Sequence, residues 1–151
     1  MRVVLPARLV EEIRRHGEGT YPDECCGFLV ARDSAPGSPE GRQIVRVAPM
    51  ENRVEGERSR RFVIPPEELR RFDRSLEGTG ESLAGFYHSH PDHPAKPSLF
   101  DQENAWPWYT YLVLAVDNGR AGELGAFELD PEERRFAPVP WAVESEEPPA
   151  R

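Results

Sequence analysis

The apolar side chains of the chain recur with a helical period in two stretches. In the first, residues 9, 10 and 13 share one face, Pro6 suits the first turn, and Gly17 suits the C-terminal stop. In the second, residues 69, 72 and 76 share a face behind two prolines and two glutamates, and glutamates favour the positive end of a helix dipole. The pattern therefore predicts two amphipathic helices, with a short third helix over residues 98–106.

Eight shorter runs, either alternating or continuously apolar, are candidate strands, and we expect about seven strands around these helices. The runs cover residues 3–5, 25–31, 44–48, 61–64, 83–88, 111–116, 122–129 and 134–139. A loop rich in Ser, Pro and Gly joins the second and third runs, so we expect these two to pair.

This mixture of elements predicts an α/β (α+β) fold with a mixed central sheet flanked by helices. A chain of 151 residues suits one domain, which we expect to span residues 1–141. The acidic, proline-containing residues 142–151 are predicted to be a disordered tail.

Composition and charge narrow the class of partner. The formal net charge of −8 argues against nucleic acid, because phosphate binding needs a clustered basic face. No apolar run approaches the roughly twenty residues of a membrane-spanning helix. Cys25 and Cys26 are the only cysteines, and adjacent cysteines rarely bond to each other. We therefore expect a cytoplasmic protein with no nucleic-acid or membrane partner. A homodimer is compatible with the sequence.

The residues best suited to chemistry lie between positions 87 and 101. His88 and His90 stand two apart at the end of a predicted strand, so both imidazoles project from one face, about 7 Å apart along the backbone. Pro91 then turns the chain, and the loop returns Asp101 on the first turn of a short helix. Two imidazoles and a carboxylate suit one Zn²⁺ ion, and three protein ligands leave a position for water, as in catalytic sites.

A larger set of positions extends this pattern at fixed spacing: Glu24 before Gly27, then His88-x-His90-Pro91, and Ser98-x-x-Asp101. In these positions the chain resembles the JAMM (MPN+) family of zinc metalloproteases. The segment 22–27, Pro-Asp-Glu-Cys-Cys-Gly, and the pair Trp106-Pro107 are similar to the small stand-alone prokaryotic members of that family.

The resemblance implies an MPN/JAB-like fold and a role for each matched residue. His88, His90 and Asp101 would hold one zinc ion, and Glu24 would act as general acid and base on its water. Ser98 would donate a hydrogen bond to the oxyanion of the tetrahedral intermediate.

The resemblance also implies a class of substrate. Family enzymes cleave amide or isopeptide bonds after the C-terminal Gly-Gly of ubiquitin-like proteins, and the compact prokaryotic members act on sulfur carriers of that fold. The bond could be an isopeptide, a linear peptide or a bond to a terminal cysteine. The polar segment 50–60 stands where family members carry a substrate-facing insertion, and Asn52 is our candidate for a substrate contact there.

Simpler roles compete for the same residues. Ser98 is a good N-cap and Asp101 suits the first turn of a helix, so both could serve the helix alone. We expect His93 to be a solvated loop residue, and Cys25 or Cys26 to pack as a small apolar side chain.

Other functions compete for the whole chain. A non-catalytic MPN scaffold that binds partners is the main alternative. A cysteine protease would differ by resisting a chelator. A zinc deaminase is disfavoured because its His-x-Glu and Pro-Cys-x-x-Cys signature is missing.

Overall fold

The computed structural model describes residues 2–33 and 41–144. These residues form eight strands and three helices, which in chain order are β1 (Val3–Pro6), α1 (Ala7–Thr20), β2 (Cys26–Arg32), β3 (Arg42–Met50), α2 (Pro66–Ser75), β4 (Glu81–Pro91), α3 (Leu99–Glu103), β5 (Thr110–Asp117), β6 (Arg120–Leu129), β7 (Phe136–Pro138) and β8 (Trp141–Glu144). None of the described helices is long and apolar enough to cross a bilayer.

All eight strands form one mixed sheet, in the order β7-β6-β5-β4-β2-β3-β1-β8. The pairs β1–β3, β1–β8 and β4–β5 are parallel, and the other four are antiparallel. The predicted pairing of the second and third strands is confirmed, since β2 and β3 run antiparallel. The fold is therefore the predicted mixed α+β domain, and its sheet has eight strands where about seven were expected.

Helix α1 covers one face of the sheet and contributes Leu9 and Ile13 to the larger apolar core. It does not stop at Gly17 as predicted but continues to Thr20. Gly17 is a close-packing position instead, because a Cβ there would stand 2.7 Å from the Leu114 side chain of β5. Burial against the sheet thus outweighs the low helix propensity of glycine.

Helix α2 covers the opposite face, where a second core holds Phe28, Phe86 and Leu129. Phe72 of α2 stacks on Phe28 with ring centroids 4.5 Å apart. Side chains of adjacent residues in β2 and β4 point to opposite faces, so the two cores lie on the two sides of the same strands. The central strands β2 and β4 are therefore covered on both faces. This matters because the residues of the site lie on these strands or next to them.

Two predictions about local structure are wrong. Residues 61–64 form no strand, because their hydrogen bonds stay within the loop: Asn52 bonds the Arg61 carbonyl and the Val63 N–H, and the Val63 carbonyl accepts from the Arg53 N–H. Residues 142–144 are not a disordered tail: they belong to β8, which pairs with β1 from Val3–Trp141 to Pro6–Glu144. The acidic composition gave no indication of this strand. It is stabilised by its pairing with β1 and by the Trp141 indole N–H, which donates to the Leu124 carbonyl at 2.9 Å. Residues 145–151 lie outside the described residues.

Candidate metal centre

The two histidines lie at the C-terminal end of β4, in the middle of the sheet. His88 pairs with Cys26 of β2 on one side and Val113 of β5 on the other. The His88 and His90 side chains are almost fully buried, and Ser89 between them faces the opposite side of the sheet. There the Ser89 hydroxyl accepts a hydrogen bond from the Cys25 N–H at 2.8 Å. This bond ties β4 to the start of β2, where Glu24 lies.

Asp101 reaches the histidines from the first turn of α3. Ser98 is the N-cap of this helix, and its hydroxyl accepts from the Asp101 N–H at 3.0 Å. The Ser98 N–H in turn donates to Asp101 Oδ2 at 2.8 Å, which completes a capping box. The capping role predicted for Ser98 and Asp101 is confirmed, and it aims the Asp101 carboxylate at the histidines.

Three side-chain atoms from β4 and α3 converge at one point. His88 Nε2 and His90 Nε2 are 3.1 Å apart, and each lies 3.0 Å from Asp101 Oδ2. A tetrahedral zinc ion with bonds of about 2.0–2.1 Å spaces its ligand atoms roughly 3.3–3.4 Å apart. The three atoms are thus spaced closely enough to share one small cation.

The hydrogen bonding of His90 suits a proton or a metal ion at the point of convergence. Its Nδ1 lies 3.0 Å from the Pro94 carbonyl oxygen, which can only accept, so Nδ1 carries the hydrogen. In the neutral ring Nε2 then presents a lone pair to Asp101 Oδ2, which is also an acceptor. Two acceptors at this distance repel unless a proton or a metal ion lies between them, so the donor set fits a metal ion.

The charges of the three groups, taken without a metal, agree with that conclusion. Burial lowers the pKa of His88, which favours the neutral, ligating form of the ring. Burial opposes protonation of His90 as well, but the Asp101 carboxylate outweighs it and raises the His90 pKa. Burial would raise the pKa of Asp101, yet the two histidines hold it well below its usual range. Asp101 is therefore a carboxylate, and a positive charge is favoured beside it.

Glu24 lies next to this group, two residues before β2. Its side chain is buried, and its ligand oxygen is within 4.8 Å of a nitrogen on each histidine. Glu24 Oε1 is buried with no hydrogen-bond partner among the described residues, and burial raises the Glu24 pKa to about 8. Glu24 and Asp101 can both be grouped with the two histidines. Asp101 Oδ2 lies within hydrogen-bonding distance of both histidines, whereas Glu24 forms no hydrogen bond to either ring among the described residues.

Two cavities meet at the site, and they differ in polarity. One has a volume of about 270 Å³ and is lined mostly by apolar side chains, with His88 and Asp101 at its end. The other has a volume of about 680 Å³, and Glu24, His90 and Ser98 line it together with loop residues that include His93. The proposed ligands thus separate an apolar cavity from a polar cleft.

Asn52 does not present a free polar group to this cleft. Its Nδ2 donates to the Glu24 carbonyl at 3.3 Å and to the Arg61 carbonyl at 2.9 Å. Its Oδ1 accepts from the N–H groups of Val54 at 3.1 Å and Val63 at 3.2 Å. Both donors and both lone pairs of the amide are used within the protein. The amide therefore organises the loop, and the substrate contact expected of Asn52 stays a prediction.

Two contacts of that loop were not found in the sequence. The Phe62 ring stacks on the His88 ring, with centroids 4.5 Å apart and planes 24° apart. The Arg61 guanidinium lies 4.7 Å from the centre of the Phe100 ring on α3. Both depend on an irregular loop conformation, so no periodic pattern could have indicated them.

The two cysteines take no part in the site. Both are buried and free, and burial raises the pKa of Cys25 to about 11 and of Cys26 to about 12. A thiolate nucleophile or a thiolate metal ligand is therefore disfavoured at neutral pH, which counts against the cysteine-protease alternative.

Comparison with known proteins agrees with this geometry. The family model described as prokaryotic homologues of the JAB domain matches residues 6–130. A desampylase from Haloferax volcanii is 32% identical over 128 residues, covering 84% of each chain. A protein of Thermus thermophilus named "Probable TtuB-protein conjugate cleaving protease" is 32% identical over 117 residues, which cover 78% of this chain and 72% of that protein.

Solved structures share the fold. A solution structure of a Salinibacter ruber protein, 31% identical, covers 99% of this chain and 95% of its own with a TM-score of 0.69. A JAB1/MPN domain protein from Archaeoglobus fulgidus, 14% identical, has a TM-score of 0.56 over 95% of this chain and 100% of its own, and supports the fold alone. With a family model spanning most of the chain, a desampylase of matching length and this MPN-type fold, the chain belongs to the family of prokaryotic homologues of the JAB domain.

Proposed function

We propose that this protein is a zinc-dependent isopeptidase that cleaves the bond after the C-terminal Gly-Gly of a ubiquitin-like or sulfur-carrier protein. The observation that carries the proposal is the convergence of His88 Nε2, His90 Nε2 and Asp101 Oδ2 within 3.0–3.1 Å of one another, with the Glu24 carboxyl alongside. Three ligands beside one unbonded carboxyl suit hydrolysis better than a structural metal site.

His88, His90 and Asp101 are the residues that would hold the ion, and their chemistry favours zinc. Two imidazole nitrogens and one carboxylate oxygen are a borderline-soft set, whereas magnesium and calcium prefer sites made of oxygen alone. When bound, zinc lowers the pKa of a water ligand towards neutrality and polarises a carbonyl group. The Pro94 carbonyl fixes the tautomer of His90 that such binding requires.

Glu24 is the general base and acid of the proposed reaction. Its buried carboxyl has no protein partner at Oε1 and faces the two histidines, so it can accept the proton of the attacking water. The same carboxyl then delivers that proton to the departing amine. Burial raises the Glu24 pKa above that of an exposed carboxyl, which favours a group that holds a proton before passing it on.

Ser98 is the proposed donor to the oxyanion. Its oxygen is occupied by the Asp101 N–H, but the hydrogen of the hydroxyl remains available because a hydroxyl both accepts and donates. The hydroxyl lines the same polar cleft as Glu24 and His90. Capping and catalysis are thus compatible uses of one side chain.

The substrate class follows from the relatives and from the shape of the site. One relative is named a desampylase and the other a protease that cleaves TtuB–protein conjugates, so both printed names describe conjugate cleavage. The ligating side chains here are nearly buried between two cavities. Glycines at the end of the substrate chain would suit ligands that are this deeply buried, because glycines add no side chain. As a separate point, we propose that the protein acts in the cytoplasm.

The experiment uses a sulfur carrier that ends in Gly-Gly, joined either to a lysine side chain or to a C-terminal cysteine. The zinc-loaded protein should release the free carrier, detected by mass spectrometry, and a chelator should stop the reaction until zinc is restored. Release that survives the chelator would contradict the metal mechanism. Stoichiometric zinc with no release from either conjugate would favour the non-catalytic scaffold.

A further inference from the structure

The position of Glu24 depends on its backbone rather than on polar contacts at its carboxyl. Oε1 has no hydrogen-bond partner among the described residues. The Glu24 N–H donates to the Arg58 carbonyl at 2.7 Å, and the Glu24 carbonyl accepts from Asn52 Nδ2 at 3.3 Å. Both main-chain polar groups of the residue are therefore held by the loop of residues 52–63.

The same Asn52 amide also holds the part of the loop that covers the metal ligands. It bonds the carbonyl of Arg61 and the N–H of Val63, the two neighbours of Phe62. Phe62 stacks on His88, and Arg61 lies over Phe100. One side chain thus bridges the backbone of Glu24 and the aromatic cover of His88.

We propose that Asn52 is a positioning residue, which fixes the Glu24 carboxyl relative to the metal ligands by bonding the Glu24 backbone to the loop over His88. The inference rests on the proposed function for its effect on turnover. It differs from the sequence-based expectation, in which Asn52 contacts the substrate, because it predicts an effect on the chemical step rather than on substrate binding.

The informative substitution is Asn52→Asp, which has nearly the same shape. It keeps an oxygen for the N–H groups of Val54 and Val63 but replaces the amide donor with an oxygen that faces two carbonyl oxygens. We expect kcat to fall about 10- to 100-fold, since small displacements of a catalytic group cost that much, while KM changes less than about threefold. Bound zinc should stay stoichiometric, because Asn52 touches none of the three ligands.

A second readout does not depend on turnover. Hydrogen exchange measured by NMR should show the Glu24 amide exchanging at least about tenfold faster in Asn52→Asp, while amides within β4 keep their rates. A general loss of stability would raise all of these rates together. A change confined to Glu24 would show that Asn52 holds the loop segment whose Arg58 carbonyl bonds the Glu24 N–H.

The matched control is Thr79→Ala, in the turn before β4. The Thr79 hydroxyl also bonds two main-chain groups, donating to the Leu76 carbonyl at 2.6 Å and accepting from the Glu81 N–H at 3.1 Å, and it lines neither cavity at the site. This variant should lose stability but keep kcat and the exchange rate at Glu24.

Three outcomes would overturn the inference. They are an unchanged kcat in Asn52→Asp, a raised KM with kcat kept, or an unchanged exchange rate at Glu24. Failure of the proposed function looks different, since the unsubstituted protein would then show no chelator-sensitive cleavage. The exchange measurement would decide the coupling between Asn52 and Glu24 even in that case.

Discussion

Glu24 shows how a single residue can be costly for folding and useful for chemistry. A buried carboxyl oxygen without a partner is normally avoided in proteins, and here it stands beside two histidines and a carboxylate. Such a group is stabilised when a water or a substrate donates to it. The cost in the free protein is therefore consistent with a group whose partner arrives with the reaction.

We predict that Glu24→Gln keeps stoichiometric zinc but lowers turnover by about 100-fold or more, because an amide cannot carry the proton from water to amine. The three atoms that converge at 3.0–3.1 Å are untouched by this change. Zinc content by mass spectrometry and carrier release by the conjugate assay measure the two effects separately.

His88→Ala is the contrasting variant, since it removes one of the converging nitrogens and should lower the bound zinc itself. Normal turnover in Glu24→Gln would refute the role of Glu24. Normal zinc content in His88→Ala would count against the ligand set.

At this scale the sequence predicted that His88, His90 and Asp101 lie together, but not which residues pack around them. The spacing of His88, His90 and Asp101 was sufficient because a strand and a capped helix translate spacing into position. Asn52 and Phe62 act from an irregular loop, where no period relates sequence to geometry. Their contacts were for that reason visible only in three dimensions.

Among the elements, the contact between α1 and β5 sets how closely the helix lies on the sheet. At Gly17 the missing side chain admits Leu114 and Val116, which would lie 2.7 and 3.1 Å from an added Cβ. Tight packing at this point brings α1 against the strands that carry the site. The helix position thus depends on a residue whose sequence signal indicated a helix end.

We predict that Gly17→Val lowers the free energy of unfolding by about 1–3 kcal/mol, the usual cost of forcing extra atoms into a packed interior. Urea denaturation of the zinc-free protein measures it. Gly19→Val is the matched control in the same helix, because nothing lies within 4 Å of a Cβ added there. Equal losses in the two variants would show that close packing at Gly17 is not responsible.

Element by element, the sequence predicted most strands because continuous apolar runs are typical of buried strands, as in β2 and β5. It missed β8 since Trp141–Glu144 is short and ends in an acidic residue, and only its pairing with β1 reveals it. It placed a strand at 61–64 from local composition, although this loop is organised by Asn52. Both errors arise where long-range partners outweigh local propensity.

On the scale of the whole molecule, the buried charges make stability depend on pH. The Glu24 pKa rises from 4.5 to about 8 on burial, so the folded protein retains a proton that the unfolded chain releases. The stabilisation from that proton is complete below about pH 4.5 and is lost as the pH rises through about 8. The depressed pKa of Asp101 acts outside this window, at lower pH.

We predict that the unfolding free energy of the zinc-free protein, measured relative to Glu24→Gln, falls by a few kcal/mol between about pH 5 and pH 8. The comparison with the variant is needed because two neighbouring groups also have shifted pKa values, lowered by burial at His88 and raised by Asp101 at His90. Denaturant titrations at several pH values give the two curves. Parallel curves would show that Glu24 is not buried as a neutral acid in the folded protein.

Strand β8 has a consequence for how copies of this molecule behave in solution. By pairing along the whole of β1, it occupies main-chain groups that would otherwise lie open at the rim of the sheet. An open rim is a template for another chain and a common origin of aggregates. A recombinant version that ended at the expected boundary, residue 141, would remove most of β8. It would thus uncover a self-association surface that the four-residue strand covers in the intact fold.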